Sequence, residues 1–182
     1  MLSKAGGGAC LLRLFYCPKE TLFQQRRDIA TLKCAEIAGS ATHMRTLSTI
    51  DYADAKRSID LVVQKATEMQ KAVAIAVADA HGELIAFARM DGVPLPSIVI
   101  SMNKAWTAAR TGKPTQEIGE KVKDPQRGHD ISYYGDPRYV GWGGGVPVFK
   151  NSEVTGAVAV SGLSSNEDAA LASLAAEMLM KK

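Results

Sequence analysis

The stretch from Ala72 to Gly92, AVAIAVADAHGELIAFARMDG, constrains the fold more than any other part of this 182-residue chain. Its first half alternates, with Val73, Ile75, Val77 and Asp79 on one side and Ala72, Ala74, Ala76 and Ala78 on the other. A period of two is the signature of a β-strand, and Val and Ile favour that conformation. The second half alternates too, Leu84, Ala86, Ala88 and Met90 opposing Ile85, Phe87 and Arg89. Between the halves lies Asp79-Ala80-His81-Gly82, whose glycine can take the positive φ that closes a hairpin. A second turn, Asp91-Gly92, ends the stretch. The pattern predicts a β-hairpin with a histidine at its tip. It serves either as a core hairpin with a polar tip or as one whose tip and exit form a binding rim.

The flanking sequence supplies helices. From Ser48 onward, with Ser48 or Asp51 as the cap, Ile59, Val62, Val63, Ala66 and Met69 recur at helical spacing. This amphipathic helix would cover a sheet, and the all-alanine face of the first strand would let a helix approach closely. Two prolines, Pro94 and Pro96, make a loop. Ser97 then caps a helix over Ile98 to Arg110, which Gly112 ends. Pro114 opens a short helix from Thr115 to about Val122. Residues 123–141 are the longest stretch without periodicity and hold His129, Tyr133, Tyr134 and Tyr139. Such a loop is either pinned to the surface by its aromatics or a flap that contacts a ligand. A second hairpin follows Gly143-Gly144-Gly145, with Pro147 relegating its first strand to an edge or a bulge. Ser164 and Glu167 resemble a capping box for a last helix with Leu171, Leu174, Ala175 and Met178 inward, its C-terminal dipole end met by Lys181 and Lys182. Hairpins with helices between them indicate a layered α+β domain and exclude a doubly wound nucleotide fold.

Composition narrows the function. Residues 1–43 carry six basic and three acidic side chains, while the remainder balances, so a body without concentrated Lys and Arg is not built for nucleic acid. The three cysteines, Cys10, Cys17 and Cys34, also fall in that first segment, which leaves residues 44–182 without a disulfide or a Cys-ligated metal. We expect residues 1–43 to be an extension outside the fold, disordered or translated from a start upstream of Met44, and residues 44–182 to form one domain. No apolar run reaches the ~18 residues of a membrane span. The cytoplasm is the expected location.

Several candidate residues carry chemistry. The run Gly141-Trp142-Gly143-Gly144-Gly145 invites a phosphate-loop reading, but a strand follows it where a helix N-terminus is needed. It remains a tight turn or a close approach to a flat ligand. His43, His81 and His129 share no metal-ligand spacing, and no serine sits in a nucleophile elbow. Lys104 lies beside the apolar stripe of its helix, either snorkelling to solvent or neutralising an acidic ligand group. Asp79 either bonds turn amides or serves as a buried acid–base group.

Taken together, AVADAHGELIAFARMDGVPLPSI, MNKAWTAA, GGGVPV, GAVAVSG and NEDAALA resemble the GlcG/HbpS family, also known as the haem-degrading or DUF336 family and as the C-terminal domain of PduO-type proteins. The resemblance runs from about Ser48 to the C-terminus. It implies a profilin-like α+β sandwich, a five-stranded antiparallel sheet flanked by helices, assembling into a homo-oligomer. It also implies a small-molecule or tetrapyrrole ligand, with haem as the cofactor. Members commonly read D-x-G-G-H-L at the hairpin tip, whereas this chain places Glu83 where that histidine would stand and His81 two residues earlier. The resemblance therefore assigns ligand binding to His81, Glu83, Arg89, Lys104, Tyr133, Tyr134, Gly144 and Gly145. His81 or a loop tyrosine, Tyr133, Tyr134 or Tyr139, would ligate haem iron, and Lys104 or Arg89 would meet the propionates. Two other roles follow from the same residues. One is an enzyme acting on a small organic acid, with Asp79 or Glu83 as general base and Lys104 holding the carboxylate. The other is an oligomeric scaffold with a vestigial pocket. A binding protein without turnover ranks first.

Overall fold

The computed structural model describes residues 46–181, and in it the alternating stretch forms the expected hairpin. Strand β1 (Ala74–Asp79) pairs antiparallel with β2 (Leu84–Arg89), and β3 (Gly145–Lys150) pairs with β4 (Glu153–Ser161). The hairpins join through β1 and β4 to give the order β2-β1-β4-β3, antiparallel throughout. Pro147 sits on β3, an edge strand, where its missing N–H leaves no ladder bond unmade. The sheet has four strands among the described residues, one fewer than the resemblance implies. The chain before the first helix meets β4 through the hydrogen bond from Ile50 N–H to the Thr155 carbonyl at 3.0 Å. The segment 1–43 with its cysteines, His43, and Lys182 lie outside the described residues.

The two faces of the sheet differ in side-chain size, and this sorts the helices. Val73, Ile75, Val77, Val158 and Val160 form a broad apolar face. It is covered by α1 (Tyr52–Glu68) through Ile59, Val62 and Ala66, and by α4 (Ser165–Met180) through Leu171, Ala172, Ala175 and Ala176. The opposite face presents Ala76, Ala78, Ala157 and Ala159 to Ala105, Ala108 and Ala109 of α2 (Pro96–Thr111). The helix on the alanine face is thus α2, not α1. The larger residues of α1 need the Val/Ile face to interlock, whereas alanine against alanine brings α2 close to the strands.

Helix boundaries follow local chemistry. Asp51 caps α1 by accepting from Asp54 N–H at 2.7 Å. Helix α2 starts at Pro96, whose fixed φ suits the first turn, so Ser97 is inside the helix and buried instead of capping it. Gly112, at φ 63°, ends α2. The short α3 (Thr115–Val122) follows. The Ser164–Glu167 capping box is formed in full. Along α4 the buried side is Asp168, Leu171, Ala172, Ala175 and Ala176, with Leu174 exposed. The position of Asp168 rotates this stripe away from the one that leucine spacing predicts.

Candidate functional site

The hairpin tip is held by its own acid. Asp79 Oδ1 accepts from the His81 N–H at 2.8 Å and the Glu83 N–H at 2.9 Å, so it braces the turn. Gly82, at φ +89°, turns the chain beside α2, where a Cβ would stand 3.0 Å from Trp106 Cδ1. His81 and Glu83 are left exposed, with Glu83 3.8 Å from the Arg110 guanidinium.

Around Trp106 the structure gathers what the sequence keeps apart. The indole is only 6% exposed, and its Nε1–H has no acceptor among the described residues. Two guanidiniums lie over the ring, Arg138 at 4.1 Å and Arg110 at 4.9 Å from its centroid. Tyr139 meets it edge-on at 5.0 Å, and Tyr134 stacks on Tyr139 at 4.5 Å. His129 continues the row, 5.6 Å from Tyr134 and stacked on the exposed Tyr133 at 6.4 Å. The loop holding these rings is fastened to α2 by one buried hydroxyl. Thr107 Oγ1 donates to the Arg138 carbonyl and accepts from the Val140 N–H, both at 3.2 Å. Arg138 is paired with Asp136 at 2.8 Å, and this guanidinium holds the Asp136 carboxyl below the usual aspartate range. On the far side of Tyr139 an apolar cleft of about 320 Å³ runs between Val122, Ile131 and Trp142. A turn of 3₁₀ helix over Ile131–Tyr134, capped by Asp130, shapes this otherwise irregular segment.

Lys104 belongs to a second place. It is 2% exposed, and its ammonium donates to Asp168 Oδ2 at 2.9 Å and to the Val160 carbonyl at 3.0 Å. Asp168 Oδ1 accepts from the Leu163 N–H at 3.1 Å. Burial pushes the Asp168 carboxyl up, and Lys104 offsets only part of that. Gly144 and Gly145 pack backbone against this pair. A Cβ at Gly144, where φ is +118°, would come within 2.8 Å of Lys104 Nζ, and one at Gly145 within 2.6 Å of the Lys104 carbonyl. The glycine run is therefore a close approach of chain to helix, reinforced by Thr115, whose Oγ1 donates to the Trp142 carbonyl at 2.6 Å and accepts from the Gly145 N–H at 2.9 Å.

The candidates thus separate into three locations. His81, Glu83, Tyr133 and Tyr134 share the tip-and-loop region, and Lys104, Gly144 and Gly145 form the buried pair's surroundings. Arg89 stands at the far end of β2, about 17 Å of strand away from the tip. The residues that sequence reasoning passes over are Trp106, Arg110, Arg138 and Asp168. The spacing of Trp106 and Arg110, one helical turn apart, is a local signal for the first two. Nothing local announces Asp168, which lies 64 residues from its partner. Among the described residues no group of three or more His, Cys, Asp or Glu could hold a metal ion.

Residues 50–177 match the family model "Haem degrading protein HbpS-like". The chain is 36% identical over 129 residues to a 15.0 kDa protein of Citrobacter freundii from the dhaT–dhaS intergenic region, spanning 71% of this chain and 91% of that one. The crystal structure of Klebsiella pneumoniae ORFY is 34% identical with a TM-score of 0.72, over 76% of this chain and 96% of its own. That of the PduOC:heme complex is 25% identical with a TM-score of 0.67, over 71% and 94%. With the motif set, the four-stranded antiparallel sheet and the family model in agreement over most of its length, the chain belongs to the HbpS-like, DUF336 family.

Proposed function

We propose that this protein binds haem or a related tetrapyrrole at the hairpin tip, as an accessory to haem or iron handling or to a catabolic pathway, and that it does so without turnover. The observation that carries this reading is that Gly82 and Glu83, the neighbours of the exposed His81, pack beside Trp106 and Arg110, in the cationic aromatic set that Arg138 and Tyr139 complete. The residues fit the group. Imidazole is a good axial ligand for haem iron, the rings and the adjoining apolar cleft suit a flat macrocycle, and guanidiniums pair with carboxylates such as propionates. The Trp106 Nε1–H is buried without an acceptor among the described residues. A relative's haem complex and the family's description support the same ligand. Arg110 and Arg138, half-exposed beside the tip, take the propionate role first given to Lys104 and Arg89, because Lys104 is buried away from the tip and Arg89 lies at the wrong end of β2. Tyr133 and Tyr134 stand by as alternative ligands. Asp79 is occupied with turn amides, which leaves it poorly suited to act as a base.

The protein works as a cytoplasmic homo-oligomer in this reading. Leu95, just before α2, and Val99 on it, 68% and 56% exposed, offer an apolar surface for a second copy. No helix among the described residues is long and apolar enough to cross a membrane. Titration of the pure protein with hemin tests the proposal: a saturable Soret shift is expected, moved or abolished by His81→Ala and weakened by Arg110→Ala with Arg138→Ala. A flat titration overturns haem binding. A Soret band unchanged by His81→Ala, Tyr133→Phe and Tyr134→Phe overturns the ligand assignment.

A further inference from the structure

Above the buried Lys104–Asp168 pair lies a cleft of about 340 Å³, separate from the hairpin tip and bordered by Ser97, Trp142, Ser161 and Ser165. Lys104 and Asp168 form part of its wall. A lysine ammonium has three N–H donors, and only two of those of Lys104 have acceptors among the described residues. A buried charged group with an unmet donor on a cavity wall is costly unless something supplies the acceptor. Asp168 is not short of donors, since Lys104 and the Leu163 N–H serve its two oxygens.

The surroundings decide the sign of the missing group. The ion pair is neutral as a unit. The starts of two 16-residue helices also border the cleft, α2 through Ser97 and the preceding Pro94, α4 through Ser165 and the preceding Leu163. Each helix start carries a partial positive charge, unopposed at α2, whose first turn has no acidic residue, and met at α4 by Glu167 and Asp168. Serine hydroxyls at Ser97, Ser161 and Ser165 add donors. The lining is donor-rich and so calls for an acceptor, and Trp142, 56% exposed, gives an apolar side to the entrance. At about 30 Å³ for each water-sized group, the cleft has room for an acid of roughly three to five carbons.

We infer that this cleft is a binding site for a small organic carboxylate, whose oxygen accepts the third N–H of Lys104. The site is independent of the tip, so it is occupied in haem-free protein and in His81→Ala alike. The test is amide NMR of the full chain titrated with sodium acetate and sodium lactate, against sodium chloride at matched ionic strength. Saturable shifts centred on Leu163, Ser165 and Gly144, with half-saturation below about 10 mM, are expected for lactate and not for chloride. Ile100→Trp, which fills the cleft without touching the ion pair, should raise half-saturation at least about tenfold, an affinity change readily resolved. The neutral replacement Lys104→Met with Asp168→Leu should do the same. Equal shifts with chloride, no saturation with either acid, or shifts centred elsewhere overturn the inference in the unmodified protein, whatever becomes of the variants. Unaltered lactate affinity in a folded Ile100→Trp protein overturns it as well.

Discussion

Replacing Lys104 by methionine tests how the molecule tolerates a buried charge. The side chain keeps its length and loses the ammonium, which strands Asp168 in an interior where it is 2% exposed. Removing one member of a buried pair typically costs about 3–5 kcal/mol. The carboxylate has one escape, which is to take a proton. From the ordinary aspartate value of 3.8, protonation at pH 7 costs about 4 kcal/mol at 1.36 kcal/mol per pH unit, which caps what the stranded charge itself can cost. The sign with pH follows. Asp168 in the variant has a folded pKa raised above its unfolded one, so its contribution to stability is retained below the unfolded value and lost as pH rises through the folded one. Lowering the pH from 7 to 5 should therefore recover about 2–3 kcal/mol of the deficit. Urea unfolding at pH 5, 6 and 7 measures it. Adding Asp168→Leu should restore most of the stability at pH 7 and flatten the pH dependence. A single variant costing less than about 1 kcal/mol, or a double variant no better than the single, would refute the idea that the pair's energy lies in mutual compensation.

Other expectations are equally direct. Gly119→Ala places a Cβ into the Gly141 carbonyl, backbone against backbone, so α3 and the aromatic loop must separate. The amides of Tyr139 to Trp142 should lose hydrogen-exchange protection with a stability loss of about 2 kcal/mol, and an unchanged loop spectrum would contradict this. Asp79→Ala removes the acceptor of two tip amides and should cost about 1–2 kcal/mol, with the His81 and Glu83 amide signals shifting most. Amide bonds hold Asp124 and Asp130 below the usual carboxyl range, and the Arg138 side chain does the same for Asp136. Depressed folded values mean stabilisation that is present at neutral pH and lost as pH falls, so residues 124–138 should loosen below about pH 4. Amide exchange followed from pH 6 to pH 3 would show it. Protection that survives to pH 3 would not fit.

The hairpins, the Gly112 cap, the Ser164 capping box and the edge position of Pro147 were legible because each rests on contacts a few residues apart. The partner of Lys104 was not. Its spacing shows only which side of a helix it takes, and the acid that answers it comes from α4. The same limit hid the convergence on Trp106, which joins α2, the hairpin tip and the loop through ring contacts without periodic trace. Which helix takes which face was hidden for a different reason. Both helices are amphipathic, and the choice depends on matching side-chain size across the sheet, a property of pairs of elements.

The alanine-on-alanine contact between α2 and the sheet has a mutational consequence of its own. Most cores fail when side chains are trimmed, because trimming leaves cavities. Here Ala76, Ala78, Ala105, Ala108, Ala157 and Ala159, none more than 1% exposed, have almost nothing left to trim. The seam fails by growth, since each added methyl must lift the whole helix. Only the smallest residues fit along it. The helix that carries Lys104, Trp106, Thr107 and Arg110 is spaced from the sheet by alanine methyls alone, so a larger neighbour has no smaller one to trade against.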